Sequence, residues 1–186
     1  MIHLISFRVF NLQKAGNTNN STMTKRIIYI MGVSGSGKTT IGKLLSQKIA
    51  IPFFDADDLH SLANKEKMRS GQALNDEDRQ DWLRNIHELA IKQMRSNGAI
   101  IACSALKEKY RAVLSAGIDK PVWIFLQGSY EMIFERMNKR KDHYMPASLL
   151  QSQFDNLEIP NNAITIDIKK GPEEIVELIS LGFPTL

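Results

Sequence analysis

Apolar positions in this chain fall into two kinds of run that take turns along it. Residues 27–31, Ile-Ile-Tyr-Ile-Met, form a continuous apolar run rich in β-branched residues. Such runs typify strands buried on both faces. Shorter runs of similar character lie at 52–55, 99–103, 122–126 and 164–168. Between them the apolar spacing turns helical. Ile41, Leu44, Leu45 and Ile49 predict a helix over 38–50. Trp82, Leu83, Ile86, Leu89 and Met94 predict a long one over 76–94, with Asn75 as cap and Asp78 three residues on in a capping-box-like spacing. Further helices are expected over 107–116, from a Ser129 cap to about 139, from Pro146 through Leu157, and over 172–181. Strands alternating with helices imply a five-stranded parallel sheet covered on both faces, a three-layer α/β/α architecture.

Residues 1–22 stand apart: an apolar start to Phe10, then a polar stretch ending Asn-Thr-Asn-Asn-Ser-Thr. A targeting segment, a disordered tail and a true start at Met23 all fit this composition. We read 1–22 as a dispensable extension and 23–186 as the domain. The chain's 186 residues suit one domain, and 43% hydrophobic residues suffice for its core. The single cysteine, Cys103, excludes an internal disulfide and fits a reducing, cytoplasmic setting. Apolar stretches are far shorter than the roughly 20 residues a membrane helix needs, so no membrane role is expected.

The net charge of +4 hints at nucleic acid until it is located. Arg8, Lys14, Lys25 and Arg26 account for it, and no acidic residue precedes position 27. Without those four, 20 basic residues face 20 acidic ones. A body without net excess offers no broad basic face, so no nucleic-acid partner is expected.

Candidate chemistry gathers where strands end. Gly32-Val33-Ser34-Gly35-Ser36-Gly37-Lys38-Thr39 fits G-x-x-x-x-G-K-[ST], between a buried strand and a helix. Backbone N–H groups of such a loop make an anion nest, and the helix adds its positive end. Lys38 is placed for the β- and γ-phosphates and Thr39 for Mg²⁺, and Thr40 completes the expected nucleotide-binding set. This predicts ATP and Mg²⁺ as cofactors. Asp55, Asp57, Asp58 and His60 follow the second strand, at the sheet edge where ligands bind. Crowded carboxylates need a compensating cation. Asp57 is assigned as the base that takes an acceptor's proton, and Asp55 an indirect, water-mediated contact with Mg²⁺. Asp58 could instead cap a helix. Ser104 and Lys107 follow the third strand and suit a polar or anionic substrate. Cys103 reads as a small buried residue, not a nucleophile. The third strand lacks a terminal Asp, which argues against a motor or GTPase. Arg136 and Arg140, four apart in a cation-dense segment, could neutralise charge on a triphosphate or simply sit at a solvated helix end.

Together these pieces resemble the gluconokinases of the shikimate-kinase-like P-loop group, over residues 27 to about 168. Asp55-Ala56-Asp57-Asp58-Leu59-His60 is similar to that family's D-G-D-D-L-H segment. Residues 63–83, with Gly71, Leu74, Asn75 and Trp82, continue the pattern. Ala102-Cys103-Ser104-Ala105-Leu106-Lys107 with Tyr110-Arg111 resembles A-C-S-A-L-K-x-x-Y-R. His143 to Pro146 and Leu149 to Glu158 resemble H-F-M-P and L-L-x-S-Q-F-x-x-L-E. Ala56, Ser61 and Tyr144 replace a usual Gly, Pro and Phe. The resemblance implies phosphorylation of D-gluconate by ATP with Mg²⁺. It also implies a substrate-binding segment over about 58–80 and a lid over about 136–146 bearing Arg136 and Arg140. Asp58, His60, Lys67, Arg79, Ser104 and Lys107 become candidates to hold gluconate, and a homodimer becomes an expectation. Rival readings are another small-molecule kinase of the fold, of the shikimate or adenylylsulfate type, and a nucleotide switch without turnover.

Overall fold

The computed structural model describes residues 25–139 and 147–182. The 1–22 extension, Arg140 and the remainder of the expected lid lie outside the described residues. Five strands form one parallel sheet: β1 (Ile27–Met31), β2 (Phe53–Asp55), β3 (Ala99–Ala102), β4 (Val122–Gln127) and β5 (Ile164–Asp167). Their order is β2-β3-β1-β4-β5. Among the described residues seven α-helices flank them: α1 (Lys38–Ile49), α2 (Leu62–Arg69), α3 (Gln80–Met94), α4 (Glu108–Ser115), α5 (Tyr130–Asn138), α6 (Ala147–Asp155) and α7 (Pro172–Ser180).

The alternation of side chains along β1 splits the core in two. Ile28 and Ile30 point to one face and pack with Ile41 and Leu45 of α1, Ile133 of α5 and Ile175 and Ile179 of α7. Ile27, Tyr29 and Met31 point to the other, against Trp82 and Ile86 of α3 and Leu114 of α4. Both faces of a central strand are therefore dry, as its uninterrupted apolar sequence requires. The buried Tyr29 hydroxyl donates to the Leu114 carbonyl at 2.9 Å, which removes the cost of an unpaired polar group. β5 differs from expectation: three of its four residues are exposed, because it is an edge strand with a partner only in β4.

Two boundaries depart from the sequence reading. The capping pair forms as expected, with Asp78 N–H donating to Asn75 Oδ1 and Asn75 N–H to Asp78 Oδ2, each 2.8 Å. It closes a turn, however, and α3 starts only at Gln80. A helix over 62–69 was not evident from apolar periodicity, because α2 is too polar to carry an apolar stripe. Its start is set by Ser61, whose hydroxyl accepts from Asn64 N–H at 3.1 Å. Ser61 and not Asp58 is the cap; Asp58 sits inside a 3-10 helix, Ala56–Leu59. None of the described helices is long and apolar enough to cross a membrane.

Candidate active site

The chain leaves the carboxyl ends of β1 and β3, neighbours in the sheet, towards opposite edges. A crevice at such a reversal is where open α/β sheets bind ligands. The glycine-rich loop fills the β1 side. Gly32 has φ +142°, and a Cβ there would come within 2.8 Å of the Leu126 carbonyl, so only glycine fits. Gly37, at φ +99°, turns the loop into α1. No side chain caps α1 and its first turn carries no acidic group, which leaves its N–H groups for an anion. Ser36 is buried with a hydroxyl that finds no hydrogen-bond partner. A buried orphan donor beside open amides suits a phosphate. Lys38 Nζ reaches back to the Gly32 and Val33 carbonyls at 3.0 and 3.1 Å.

The acidic cluster meets this loop. Thr39 Oγ1 donates to Asp55 Oδ2 at 2.7 Å, and Asp55 Oδ1 accepts from Asp57 N–H at 3.1 Å. One carboxylate thus ties the loop to the 3-10 helix that carries Asp57 and Asp58, both exposed. Trp82 fixes that helix from below, its indole N–H donating to the Ala56 carbonyl at 2.7 Å. Cys103 lies fully buried beneath. Burial first, then Asp57 and Asp55, push its thiol up to about 12, while Lys38 opposes them. A fully buried thiol held in its protonated form is no nucleophile. Among the described residues no cluster of three His, Cys, Asp or Glu could cage a metal. The oxygens of Thr39 and Asp55 fit Mg²⁺, which keeps waters and substrate phosphates as ligands.

The acceptor side is assembled from ion pairs. Asp76 accepts from Lys107 Nζ at 3.0 Å, and also from Lys109 Nζ and the Tyr110 hydroxyl. These donors, Lys109 foremost, hold its carboxyl well below the usual carboxylate range. Lys67 Nζ pairs with Asp78 Oδ2 at 2.6 Å, and Arg79 Nη1 donates to the Leu74 and Asn75 carbonyls. His60 stacks on Trp82 with ring centroids 4.6 Å apart. Burial, then Arg79 and Lys65, push its pKa down to about 4, so the ring is neutral. Its buried Nδ1 has no hydrogen-bond partner. Ser104 is half-buried beyond the end of β3. Lys67, Arg79 and Lys107 are therefore together, but engaged in holding residues 74–78. Arg136 stands apart from these acceptor-side cations: it is half-buried on α5, whose Ile133 and Met137 border Gly35 of the phosphate loop, and it donates to the Ile168 carbonyl at 2.6 Å, past the end of β5.

Known proteins resemble this chain in sequence and fold. A family model described as Shikimate kinase matches residues 34–176. A probable gluconokinase of Dictyostelium discoideum is 43% identical over 180 residues, spanning 89% of this chain and 90% of that one. A gluconokinase of Arabidopsis thaliana is 42% identical over 84% of this chain and 92% of its own. The crystal structure of a gluconokinase from Sinorhizobium meliloti 1021 superposes with a TM-score of 0.76 at 37% identity, covering 83% of this chain and 89% of that one. The chain belongs to the gluconokinase family.

Several positioning residues of this gluconokinase-family site escaped sequence reasoning. Gln153 of α6 grips the phosphate loop at Ser34. Asp76 gathers the acceptor-side cations. Arg111, buried at 4% exposure, donates to the Ala105 and Leu106 carbonyls at 3.0 Å and so shapes the turn after β3. Gln153 and Arg111 both stand in the stretches that carry the family resemblance. Their letters were visible, but the contact of Gln153, between residues 119 apart in sequence, has no local signature.

Proposed function

We propose that the protein transfers the γ-phosphoryl group of ATP to the 6-hydroxyl of D-gluconate, giving ADP and 6-phosphogluconate. The observation that carries this reading is the hydrogen-bonded path Thr39–Asp55–Asp57, which joins a phosphate cradle to a carboxylate on the acceptor side. The 6-hydroxyl oxygen attacks the γ-phosphorus in line while the bond to the β–γ bridging oxygen breaks. Asp57, ionised, accepts the hydroxyl proton. Loop amides, the Ser36 hydroxyl and Lys38 stabilise charge on the phosphates, and ADP departs with the electrons of the broken bond. Thr39 and Asp55 would hold Mg²⁺, which would supply further charge neutralisation at the phosphates. On the acceptor side, the substrate carboxylate is met by Lys67, Arg79 and Lys107, and its hydroxyls by Asp58, His60 and Ser104. Neutral His60 leaves its Nδ1 free to accept from a hydroxyl. Arg136 and Arg140 are the cations assigned to the triphosphate. The chemistry belongs to residues 23–186, with 1–22 dispensable to it.

The test is a panel of acceptors in a coupled assay for ADP release. Gluconate is expected to turn over far faster than shikimate or adenylylsulfate. Equal or slower turnover of gluconate would defeat this reading.

A further inference from the structure

The stretch from α6 to the turn after it is bonded to both halves of the active site. Ser34 N–H donates to Gln153 Oε1 at 2.7 Å, and Gln153 Nε2 donates to Ser34 Oγ at 3.2 Å. The chemistry fixes the amide's orientation: a backbone N–H can only donate, so the oxygen of Gln153 must face it. The amide nitrogen then occupies an acceptor position on the Ser34 hydroxyl, whose own proton is left to donate elsewhere. Three residues past the end of α6, Glu158 N–H donates to the Leu106 carbonyl at 2.9 Å, and its carboxylate accepts from Glu108 N–H. That second bond satisfies the first helical amide of α4, next to Lys107. Phe154 and Leu157, between these two anchors, join Val33, Leu126 and Gly128 in lining a cavity of about 260 Å³ behind the loop.

We propose that residues 153–158 are a two-ended strap, in which Gln153 is a positioning residue for the nucleotide loop and Glu158 one for the acceptor loop. This deepens the kinase reading given above and rests on it. The physical basis is preorganisation. A loop that offers several amides to one anion binds well only if those amides are already aimed. Ser34 lies in the first half of that loop, upstream of the α1 amides. Gln153 holds it by two bonds at once, so backbone and side chain are set together. At the other end, Glu158 sets the start of α4, and with it the stem from which Lys107 reaches Asp76. Each end of the strap therefore touches one substrate's machinery and not the other's.

The experiment separates the two ends in the full chain. Gln153→Met keeps the side chain's size and its packing but removes both hydrogen bonds. Binding of Mg-ADP and of a non-hydrolysable ATP analogue, measured by calorimetry without gluconate, is expected to weaken about tenfold. The KM for gluconate is expected to stay within about twofold, a spread too small to count as lost binding. Glu158→Leu, which removes the acceptor for Glu108 N–H, is expected to show the reverse split. Gln153→Glu adds a readout that packing cannot produce. Its carboxylate can accept from Ser34 N–H but cannot donate to Ser34 Oγ. Nucleotide affinity should fall at neutral pH and recover, relative to the unmodified chain, as the pH drops below about 5 and the acid protonates. Thermal melts confirm that each variant is folded. Equal losses for both substrates, nucleotide binding unchanged in Gln153→Met, or no recovery in Gln153→Glu would overturn the proposal. Gluconate failing as a substrate of the unmodified chain would sink the kinase reading, while the calorimetric arm still decides Gln153.

Discussion

The phosphate loop and the acceptor-side segment, residues 56–79, face the same crevice but are built on opposite principles. The loop hangs from β1, all five of whose residues are buried. Its shape follows from backbone angles that glycine alone tolerates. The acceptor segment has a four-residue 3-10 helix and an eight-residue α-helix, and most of its polar side chains are half-buried or exposed. Its form depends on ion pairs, Lys67–Asp78 and the donors around Asp76. Isolated pairs at a surface are weak, and networks do better. One half of the site is therefore preformed by the sheet, and the other is held by side chains that a substrate's own charges can rearrange.

Substitutions can sharpen or break that contrast. The largest effect is expected where the two halves meet. Asp57→Asn should lower kcat by about 10²–10⁴-fold, the usual worth of a positioned base, with nucleotide affinity nearly intact. Turnover near that of the unmodified chain would remove Asp57 from the mechanism. Next comes the loop. Gly32→Ala forces a Cβ to within 2.8 Å of the Leu126 carbonyl at φ +142°. A loss of about 1–3 kcal/mol in stability is expected in a denaturant melt, with weakened binding of Mg-ADP. A Gly32→Ala chain as stable as the original would mean that the loop is less rigidly fixed than its geometry implies.

On the acceptor side the expected effects are smaller and selective. Asp76→Ala frees Lys107, Lys109 and Tyr110 at once. The KM for gluconate should rise several-fold while that for ATP holds, as initial rates would report. A parallel rise in both would contradict the division of labour. The smallest expected change concerns His60. In the fold it takes up a proton only near pH 4, against 6.5 for an ordinary histidine, because it is buried and lies near Arg79 and Lys65. The unfolded chain therefore binds more protons across this window, and stability falls as pH drops from 6.5 towards 4. His60→Phe keeps a ring against Trp82 but nothing to titrate. Its melting temperature should fall less across the window, and a slope equal to that of the parent would rule out His60 as the source.

How legible each half was in the sequence follows from how it is built. Continuous apolar runs and a period of 3.6 are local signals, so β1, α1, β4 and α7 could be read directly from the sequence. The phosphate loop was legible because its chemistry depends on backbone, and backbone needs glycine at fixed positions. α2 was not, since a short polar helix capped by Ser61 leaves no apolar stripe. The start of α3 was misplaced because the Asn75–Asp78 pair, correctly anticipated, closes a turn that precedes the helix. On the acceptor side the candidate residues could be named, but not what they bind: Lys67, Arg79 and Lys107 find partners within the segment itself. Gln153 acts across the fold, and only the assembled sheet brings it to the loop it holds, whereas Arg111 reaches back just five and six residues to shape the turn before its own helix.

The chain's single thiol lies near Asp55 and Asp57, fully buried and pushed up to about 12. At neutral pH it is both shielded and protonated, so an alkylating reagent reaches it only when the crevice floor opens. The rate of its modification therefore clocks local opening beneath the active site, and bound substrates that clamp the floor should slow that clock.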